Sequence, residues 1–340
     1  MATIYDVARR ANVSIASVSL VFQDPKTRRV GEAKRQRILD VAREVGYVPN
    51  LLARGLGRHG TGILGLVVPM RDPRVYFNLT IADVLAGIQK CLVERGYHLL
   101  VYAHDSDRGK VTGTEIIQSK ATDGVIFINT RICTAGDIAA TAGEFQTANI
   151  PFVMINSAQE LRGVNYVGVD DAAIGKCAGE YLIARGHSRI AMLAGSAKSP
   201  TSTLLARGLR RAAAQHGLKF RDEWLAYGDF ERETSFRVVQ KWMAKKIRPT
   251  AVFCGSDLMA PFVYEALEEQ GLRIPQDVAV MGRGDLMFAP FLRPALTTFR
   301  FPFFDVGYRS ASILIDSLKS PGAVPKSELV ETPIVERASV

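Results

Sequence analysis

The chain has 340 residues, more than a single domain usually holds, so two or three folding units are expected. Hydrophobic residues make up 47% and charged residues 23%, a composition that favours packed cores and excludes a disordered chain. No apolar stretch approaches membrane-spanning length and no signal peptide is recognised near the first residue, so we expect a cytoplasmic protein.

The formal net charge of +9 is concentrated near the first residue. Residues 1–60 hold 11 Lys and Arg against 5 Asp and Glu, which leaves +3 for the other 280 residues. A basic end on a nearly neutral body predicts a polyanionic partner for that end. A solvated basic tail is the alternative, but the same stretch carries helical periodicity and caps.

The first predicted helix begins at Thr3, which with Asp6 approximates a capping box. Its apolar stripe follows at helical spacing: Ile4, Val7, Ala8 and Ala11. Asn12 suits a tight turn, and Ser14 can cap a second helix that extends to about Phe22.

The second helix is expected to bury Val18 and Val21. A third helix is predicted from about Glu32 to Val45, with Gly46 as its stop. Two short helices joined by a tight turn and backed by a third have helix-turn-helix geometry, although other three-helix modules share that pattern.

The sequence motifs of this region are more specific evidence than the three-helix pattern. T-I-Y-D-V-A-R-R-A-N-V-S-I-A-S-V-S at 3–19 resembles the headpiece of the LacI/GalR (lactose-repressor-like) regulators, and V-G-Y-V-P-N at 45–50 resembles the segment that closes it. The resemblance covers nearly all of the chain. It implies a transcriptional repressor, not an enzyme, that binds a pseudo-palindromic DNA operator as a homodimer, without a cofactor, under allosteric control by a small-molecule effector.

The resemblance also implies roles for single residues of the headpiece. Base-reading positions correspond to Ile15, Ala16 and Leu20, and phosphate-binding positions to Thr3, Tyr5, Ser14, Ser19 and Gln23. This chain has V-S-L-V-F-Q where the family commonly has V-S-R-V-L-N. Because leucine cannot hydrogen-bond to guanine, Leu20 is predicted to make an apolar contact, for example with a thymine methyl, or merely to pack.

Residues 55–60 spell a literal G-x-G-x-x-G. A dinucleotide-binding loop must follow a strand and open a helix, whereas this copy follows a helical segment and precedes the apolar run at 63–68. A nucleotide cofactor is therefore disfavoured. By the resemblance, residues 50–60 form a hinge that folds on DNA, with Leu56 as a wedge in the minor groove; an inert linker leucine is the alternative.

From Gly62 onward, apolar strands alternate with amphipathic helices, which indicates parallel α/β sheets. Strands are predicted to begin near Ile63, Leu99, Gly124, Phe152, Tyr166, Ile190, Ala251 and Val278. Helices are predicted at 76–95, 172–186, 203–216, 233–246, 258–270 and 303–319. About eleven strands exceed one typical sheet, so we expect two Rossmann-like lobes.

This region resembles the family's effector core, itself similar to periplasmic sugar-binding proteins. The matching segments include I-L-G-L-V-V-P-M-R-D-P at 63–73, V-G-V-D-D at 167–171 and R-P-T-A-V-F-C-G-S-D at 248–257. The predicted domains are a headpiece (1–49), a hinge (50–60) and a core (61–338). Lobe one would comprise 61–163 and 296–321, and lobe two 164–295 and 322–338, with three crossings between them.

A ligand cleft is expected beyond the carboxyl ends of the strands. The predicted effector-binding residues are Arg71, Phe77, Ile128, Asn156, Phe230, Ser256, Asp257, Gly284 and Asp285. Core packing is the alternative for the two phenylalanines, and a turn cap for Asp257. The family's usual polar groups are replaced by Leu205, Ser256, Gly284 and Phe301, so we expect a less polar effector than the usual sugar or nucleoside, or a degenerate site.

Two other functional classes fit less well. An oxidoreductase would need a correctly placed glycine loop, and the five histidines are scattered. A periplasmic binding protein would need a signal peptide and no headpiece. The four cysteines form no CxxC and are expected to be packing residues, not metal ligands. The last residues carry no heptads, which favours a dimer; helices 76–95 and 258–270 correspond to dimer contacts but equally suit intrachain packing.

Overall fold

The computed structural model describes residues 2–23, 29–48, 60–68, 79–102, 121–129, 133–155 and 163–340. The chain divides into two compact units. One comprises residues 1–63 with 120–123, and the other residues 64–119 with 124–340. The hinge residue Leu56 lies outside the described residues.

The described part of the first unit contains three helices, α1 (Ile4–Ala11), α2 (Ile15–Gln23) and α3 (Glu32–Glu44), close to the predicted bounds. The predicted capping box is confirmed, because the Asp6 N–H donates to Thr3 Oγ1 and the Thr3 N–H donates to the Asp6 carboxylate at 2.9 Å. Asn12 makes the turn between α1 and α2 in the left-handed conformation, with φ 52°. Local sequence therefore sets the geometry of this helix pair.

A small apolar core holds the three helices together. It consists of Val7, Ala8, Ala11, Val18, Val21, Val30, Ile38 and Ala42, all buried. The Phe22 and Tyr47 rings meet edge to face with centroids 5.4 Å apart, which attaches the segment after α3 to α2. The predicted stop at Gly46 is also seen, with φ 64°. This core, defined here as the headpiece core, fixes which face of α2 remains outside.

The other described residues form two lobes, each built on a six-stranded sheet. Lobe one holds β1 (Ile63–Val67), β2 (His98–Tyr102), β3 (Gly124–Ile128), β4 (Phe152–Ile155), β5 (Asn165–Gly168) and β11 (Ser327–Leu329). Lobe two holds β6 (Ile190–Ala194), β7 (Leu225–Tyr227), β8 (Ala251–Cys254), β9 (Ala279–Gly284), β10 (Thr297–Arg300) and β12 (Ile334–Val335). The order is β2-β1-β3-β4-β5-β11 in the first and β7-β6-β8-β9-β10-β12 in the second.

Helices cover the sheets of both lobes. Those of lobe one are α4 (Leu79–Arg95), α5 (Ala135–Thr147) and α10 (Phe303–Lys319), and those of lobe two are α6 (Asp171–Ala184), α7 (Pro200–Gln215), α8 (Arg232–Met243) and α9 (Ala260–Glu268). The central strands are continuous apolar runs buried on both faces, as in β3, because helices lie on either side of a parallel sheet. The predicted alternation is confirmed.

The predicted lobe boundaries were wrong by one strand at all three crossings. Asn165–Gly168 pairs with β4 in lobe one, although the prediction placed it in lobe two. Thr297–Arg300 pairs with β9 in lobe two, although the prediction placed it in lobe one, and Ser327–Leu329 returns to lobe one beside β5. Each strand completes the hydrogen bonding of its own sheet before the chain crosses, so the three crossings lie at 169–170, 301–302 and 330–333.

Glycines allow two helix pairs to cross in close contact. A Cβ added to Gly307 in α10 would lie 2.1 Å from the carbonyl oxygen of Val84 in α4. A Cβ added to Gly208 in α7 would lie 2.0 Å from the carbonyl oxygen of Ala172 in α6. Since the obstacle in each case is backbone, a larger residue must push the helices apart.

We expect Gly307→Ala to lower the free energy of unfolding by about 1–3 kcal/mol through overpacking. Gly143→Ala is the matched control in the same lobe, because a Cβ there meets nothing within 4 Å. Alanine at that position of α5 should stabilise the helix by about 0.5–1 kcal/mol. Urea midpoints followed by circular dichroism measure both changes, and equal midpoints for the two variants would contradict the crossing geometry.

Candidate functional site

The outward face of α2 carries two of the three residues predicted to read bases. The Ile15 side chain is 41% exposed and Ala16 is exposed as well. Leu20 lies one turn further along, is half-buried and packs against the headpiece core. Part of the Leu20 side chain is therefore used in packing. The rest of its surface is accessible, on the same helix as Ile15 and Ala16.

Three of the five predicted phosphate-binding residues lie at the beginnings of α1 and α2: Thr3, Tyr5 and Ser14. Thr3 and Tyr5 are exposed, and Tyr5 retains 66% of its accessible surface. Ser14 is exposed and its Oγ accepts a hydrogen bond from the Ser17 N–H at 3.2 Å. Ser19 is half-buried. Gln23 is the last residue of α2, and its side chain lies outside the described part.

Charge near α1 is mostly positive. Arg9 and Arg10 are both exposed on this helix, and Arg9 lies 3.4 Å from the Asp6 carboxylate. The hydrogen bonds from Thr3 lower the pKa of Asp6, so this carboxylate serves the cap at neutral pH. The surface thus combines helix N-termini, hydroxyls and arginines, which are the groups that contact DNA phosphates.

A cavity of about 230 Å³ lies between the two lobes of the second unit. It opens beyond the carboxyl ends of β3, β6, β8 and β9, the position at which parallel α/β sheets bind ligands. Among the described residues, the aromatic side chains that line it are Tyr166, Phe230, Phe301 and Phe303. The arrangement suits a small molecule with an apolar face.

Two of these aromatic rings are positioned by adjacent glycines. Tyr166 crosses the backbone of Gly168, where a Cβ would lie 2.0 Å from the tyrosine hydroxyl. Phe230 has a left-handed backbone, with φ 62°, and its ring lies against Gly195, where a Cβ would come within 2.7 Å. A strained aromatic residue beside a cavity is typical of a ligand site.

The predicted effector-binding residues fall into three groups. Ile128, Phe230, Ser256 and Gly284 line the cavity. Arg71, Phe77 and Asn156 lie outside the described residues. Asp257 and Asp285 do not line the cavity. The carboxylate of each accepts hydrogen bonds from other residues of the protein.

Asp257 has no exposed surface and connects three neighbouring segments. Its carboxylate accepts hydrogen bonds from the Thr298 hydroxyl at 2.6 Å and from the Leu286 N–H at 2.9 Å. The cap of the following turn comes from Ser256, whose Oγ accepts from the Leu258 N–H. Burial raises the pKa of Asp257, and these hydrogen bonds oppose the rise. Asp257 is therefore a structural residue of lobe two.

Asp285 is held away from the cavity by two arginines. Arg337 donates to it at 2.6 Å and Arg300 at 2.8 Å. Burial raises the pKa of Asp285, but the hydrogen bonds from Arg337 and Arg300 outweigh that effect and the pKa is lowered. The same Arg337 donates to the Leu296 carbonyl, so Asp285 anchors the last residues of the chain to lobe two.

An ion pair at the cavity wall was not anticipated from the sequence. Arg283 Nη2 donates to Asp171 Oδ1 at 2.6 Å, and the two side chains are 15% and 4% exposed. Burial raises the pKa of Asp171, while the Arg283 charge and a hydrogen bond with Thr201 oppose the rise. At 2.6 Å, the Arg283 charge lies directly against the carboxylate and favours its ionised form.

The cavity wall thus holds a guanidinium and a carboxylate at positions other than those where the family's usual polar groups are replaced. Leu205 and Phe301 do line the cavity, but Asp171 and Arg283 supply both charged groups from other positions. Hydroxyl-bearing residues add to them: Tyr166, Ser196, Ser199, Thr201 and Ser202. Asp171 stands in the V-G-V-D-D segment and at a helix start, and this position was the one available signal.

Other classes of site find no support within the described ranges. No group of His, Cys, Asp or Glu there is arranged to hold a metal ion. Cys91, Cys133 and Cys254 are buried, as expected for packing residues, whereas Cys177 is exposed. No helix in the same ranges is long and apolar enough to cross a bilayer.

Comparison with known proteins covers both units. Residues 3–50 match the model of bacterial regulatory proteins of the lacI family, and residues 180–340 match the periplasmic binding protein-like domain. The HTH-type transcriptional repressor PurR of Erwinia tasmaniensis is 33% identical over 342 residues, which span 100% of this chain and 97% of the relative.

Solved structures agree with this assignment. The transcriptional regulator CelR in complex with cellobiose is 26% identical, with a TM-score of 0.73 over 100% of both chains. The lac repressor dimer bound to operator and the anti-inducer ONPF is 23% identical, with a TM-score of 0.84 over 99% of this chain and 98% of that one. The latter likeness concerns the fold alone.

We expect Asp257→Ala to lower the free energy of unfolding by about 3–5 kcal/mol, because the buried Thr298 hydroxyl and Leu286 N–H lose their acceptor. Asp222→Ala is the control in the same lobe, since it removes an exposed carboxylate paired with Arg210 at 2.8 Å. That loss should stay below about 1 kcal/mol. Thermal and urea unfolding measure both, and a tolerated Asp257→Ala would refute the structural role.

Proposed function

Because the chain belongs to the LacI family of bacterial regulatory proteins and is a DNA-binding transcriptional regulator, not an enzyme, we propose that it represses transcription from a pseudo-palindromic operator. It binds the operator as a homodimer in the cytoplasm. A small molecule in the cleft between the lobes changes its affinity for DNA. The observation that carries the proposal is the exposed Ile15–Ala16 face of α2 on a basic three-helix headpiece.

Two sets of side chains in the headpiece recognise the operator, one by its phosphates and the other by its bases. Thr3, Tyr5, Ser14, Ser19 and Gln23 bind phosphates and fix the register of α2 in the major groove. Ile15 and Ala16 contact base edges. Leu20 contacts a thymine methyl with the part of its side chain that the headpiece core leaves uncovered.

Residues 50–60 act as a hinge between the headpiece and the core, and Leu56 enters the minor groove as an apolar wedge. The support is the resemblance of this segment to the family's hinge, within a chain that aligns over its full length with a PurR repressor. An inserted apolar side chain unstacks one base step and bends the duplex. Pairing of two hinges on one operator requires two subunits at a fixed separation, which makes DNA binding sensitive to the geometry of the core.

The effector site comprises Ile128, Phe230, Ser256 and Gly284 of the cavity wall, together with the predicted Arg71, Phe77 and Asn156. Its ligand is sugar-like or nucleoside-like by resemblance to the family. Elements of both lobes and of the crossing at 301–302 line this cavity. A ligand that stabilises one arrangement of the lobes shifts the separation of the hinges, so effector and operator alter each other's affinity by the same factor.

The dimer contact belongs to the outer surfaces near α4 and α9. The apolar stripe of α4 is used within the chain, since Ile81, Val84 and Ile88 are buried in lobe one. One large apolar side chain of α4 remains outside, that of Val93, which is 71% exposed. This residue is available for a second copy of the chain.

The first expected outcome concerns salt. Binding to DNA should weaken steeply as salt rises, by roughly 10³–10⁵ between 50 and 200 mM if six to ten phosphates are neutralised. A chain that begins at residue 61 should lose this binding. Fluorescence anisotropy with a labelled duplex measures it, and salt-dependent DNA binding by the shortened chain would contradict the assignment of the headpiece.

The second expected outcome concerns Leu20. Selection of bound sequences from random duplexes should show no guanine requirement at the base step that faces Leu20. Leu20→Arg should introduce one, with roughly 1–3 kcal/mol of discrimination from a bidentate contact. Ile15→Ala serves as the control and should alter a different step. A strong guanine preference in the unmodified protein, lost on changing Leu20, would disprove the apolar contact.

A further inference from the structure

In the described part of the cavity wall, the negative and positive charges belong to one ion pair. Among the lining residues that the structure describes, the charged side chains are Asp171 and Arg283. Asp171 is the first residue of α6 and Arg283 lies in β9, so the pair joins two elements of lobe two. With 2.6 Å between donor and acceptor, the fields of the two groups largely cancel within the cavity.

The guanidinium of Arg283 is held in place on a second side as well. It lies over the Phe301 ring, 5.2 Å from the centroid. Its Nε is buried and has no hydrogen-bond partner among the described residues. An anion that approached this guanidinium would gain little, because the adjacent Asp171 carboxylate already neutralises its charge and repels a second negative charge.

The polar groups beside this ion pair also favour uncharged ligands. Thr201 hydrogen-bonds to Asp171, so its hydroxyl is already in use. Ser196, Ser199 and Ser202 present hydroxyls that donate to and accept from neutral polar groups. They line the cavity together with Asp171, whose negative charge opposes a second anion beside it.

We propose that Asp171 is a specificity-determining residue that neutralises Arg283, so that the part of the cleft beside this pair takes uncharged polar groups of the effector and excludes phosphate and carboxylate groups. This inference rests on the proposed function of the cleft as the effector site. It assigns a role to two residues that are not among the predicted effector-binding residues. It also limits the chemical class of the effector.

The test uses inorganic phosphate as the probe and the full-length chain. Thermal stability is measured with phosphate against chloride at matched ionic strength for the unmodified protein, Arg283→Gln, Asp171→Asn and the double variant. Asparagine keeps the size of Asp171 and an acceptor for Arg283 but removes the charge. We expect Asp171→Asn to bind phosphate at least tenfold more tightly than the unmodified protein, and the double variant to lose that gain.

Phosphate binding to the basic headpiece is the same in all four proteins. Differences among them in the stability change with phosphate therefore report binding in the cleft. Phosphate binding by the unmodified protein that Arg283→Gln abolishes would overturn the proposal, and so would an Asp171→Asn variant with no gain. The unmodified and Arg283→Gln proteins decide the matter even where Asp171→Asn does not fold. Binding to a selected operator is measured in the same preparations, and its absence would overturn the proposed function without altering the phosphate result.

Discussion

The buried ion pair between Asp171 and Arg283 constrains most of the cleft around it. Asp171 begins α6 directly after the crossing at 169–170, and Arg283 lies against Phe301 in the crossing at 301–302. The pair therefore ties β9 to two of the three segments that join the lobes. Because a desolvated charge cannot be left without its partner at low cost, these segments keep their mutual positions unless both groups move together.

This constraint bears directly on how a signal passes through the core. A ligand in the cavity contacts residues from both lobes, and the crossings beside it are the places where a change in lobe arrangement must be absorbed. Phe301 and Phe303, stacked with centroids 4.3 Å apart, extend from the cavity wall into α10. Ligand binding and lobe arrangement are thus coupled through packed contacts, as reciprocal linkage with DNA binding requires.

In the headpiece, one short helix serves two requirements at once. Val18 and Val21 of α2 are buried, while Ile15 and Ala16 are exposed on the same nine residues. Leu20 lies between these two sets, half in the headpiece core and half outside it. A change at Leu20 is therefore expected to affect the packing of α2 and its contact with DNA together, whereas Ile15 can vary with less effect on packing.

The sequence by itself determined the local features: the Thr3–Asp6 capping box, the turn at Asn12, the buried run of β3 and the alternation of strands and helices. These depend on hydrophobic periodicity and capping, which act over a few residues. The motifs that resemble those of the LacI family also identified the headpiece. Tertiary structure alone decided the sheet to which Asn165–Gly168 and Thr297–Arg300 belong, because pairing with a neighbouring strand settles it. It also decided the burial of Asp257 and the pairing of Asp171 with Arg283, 112 residues apart, since no local pattern records which distant side chains meet.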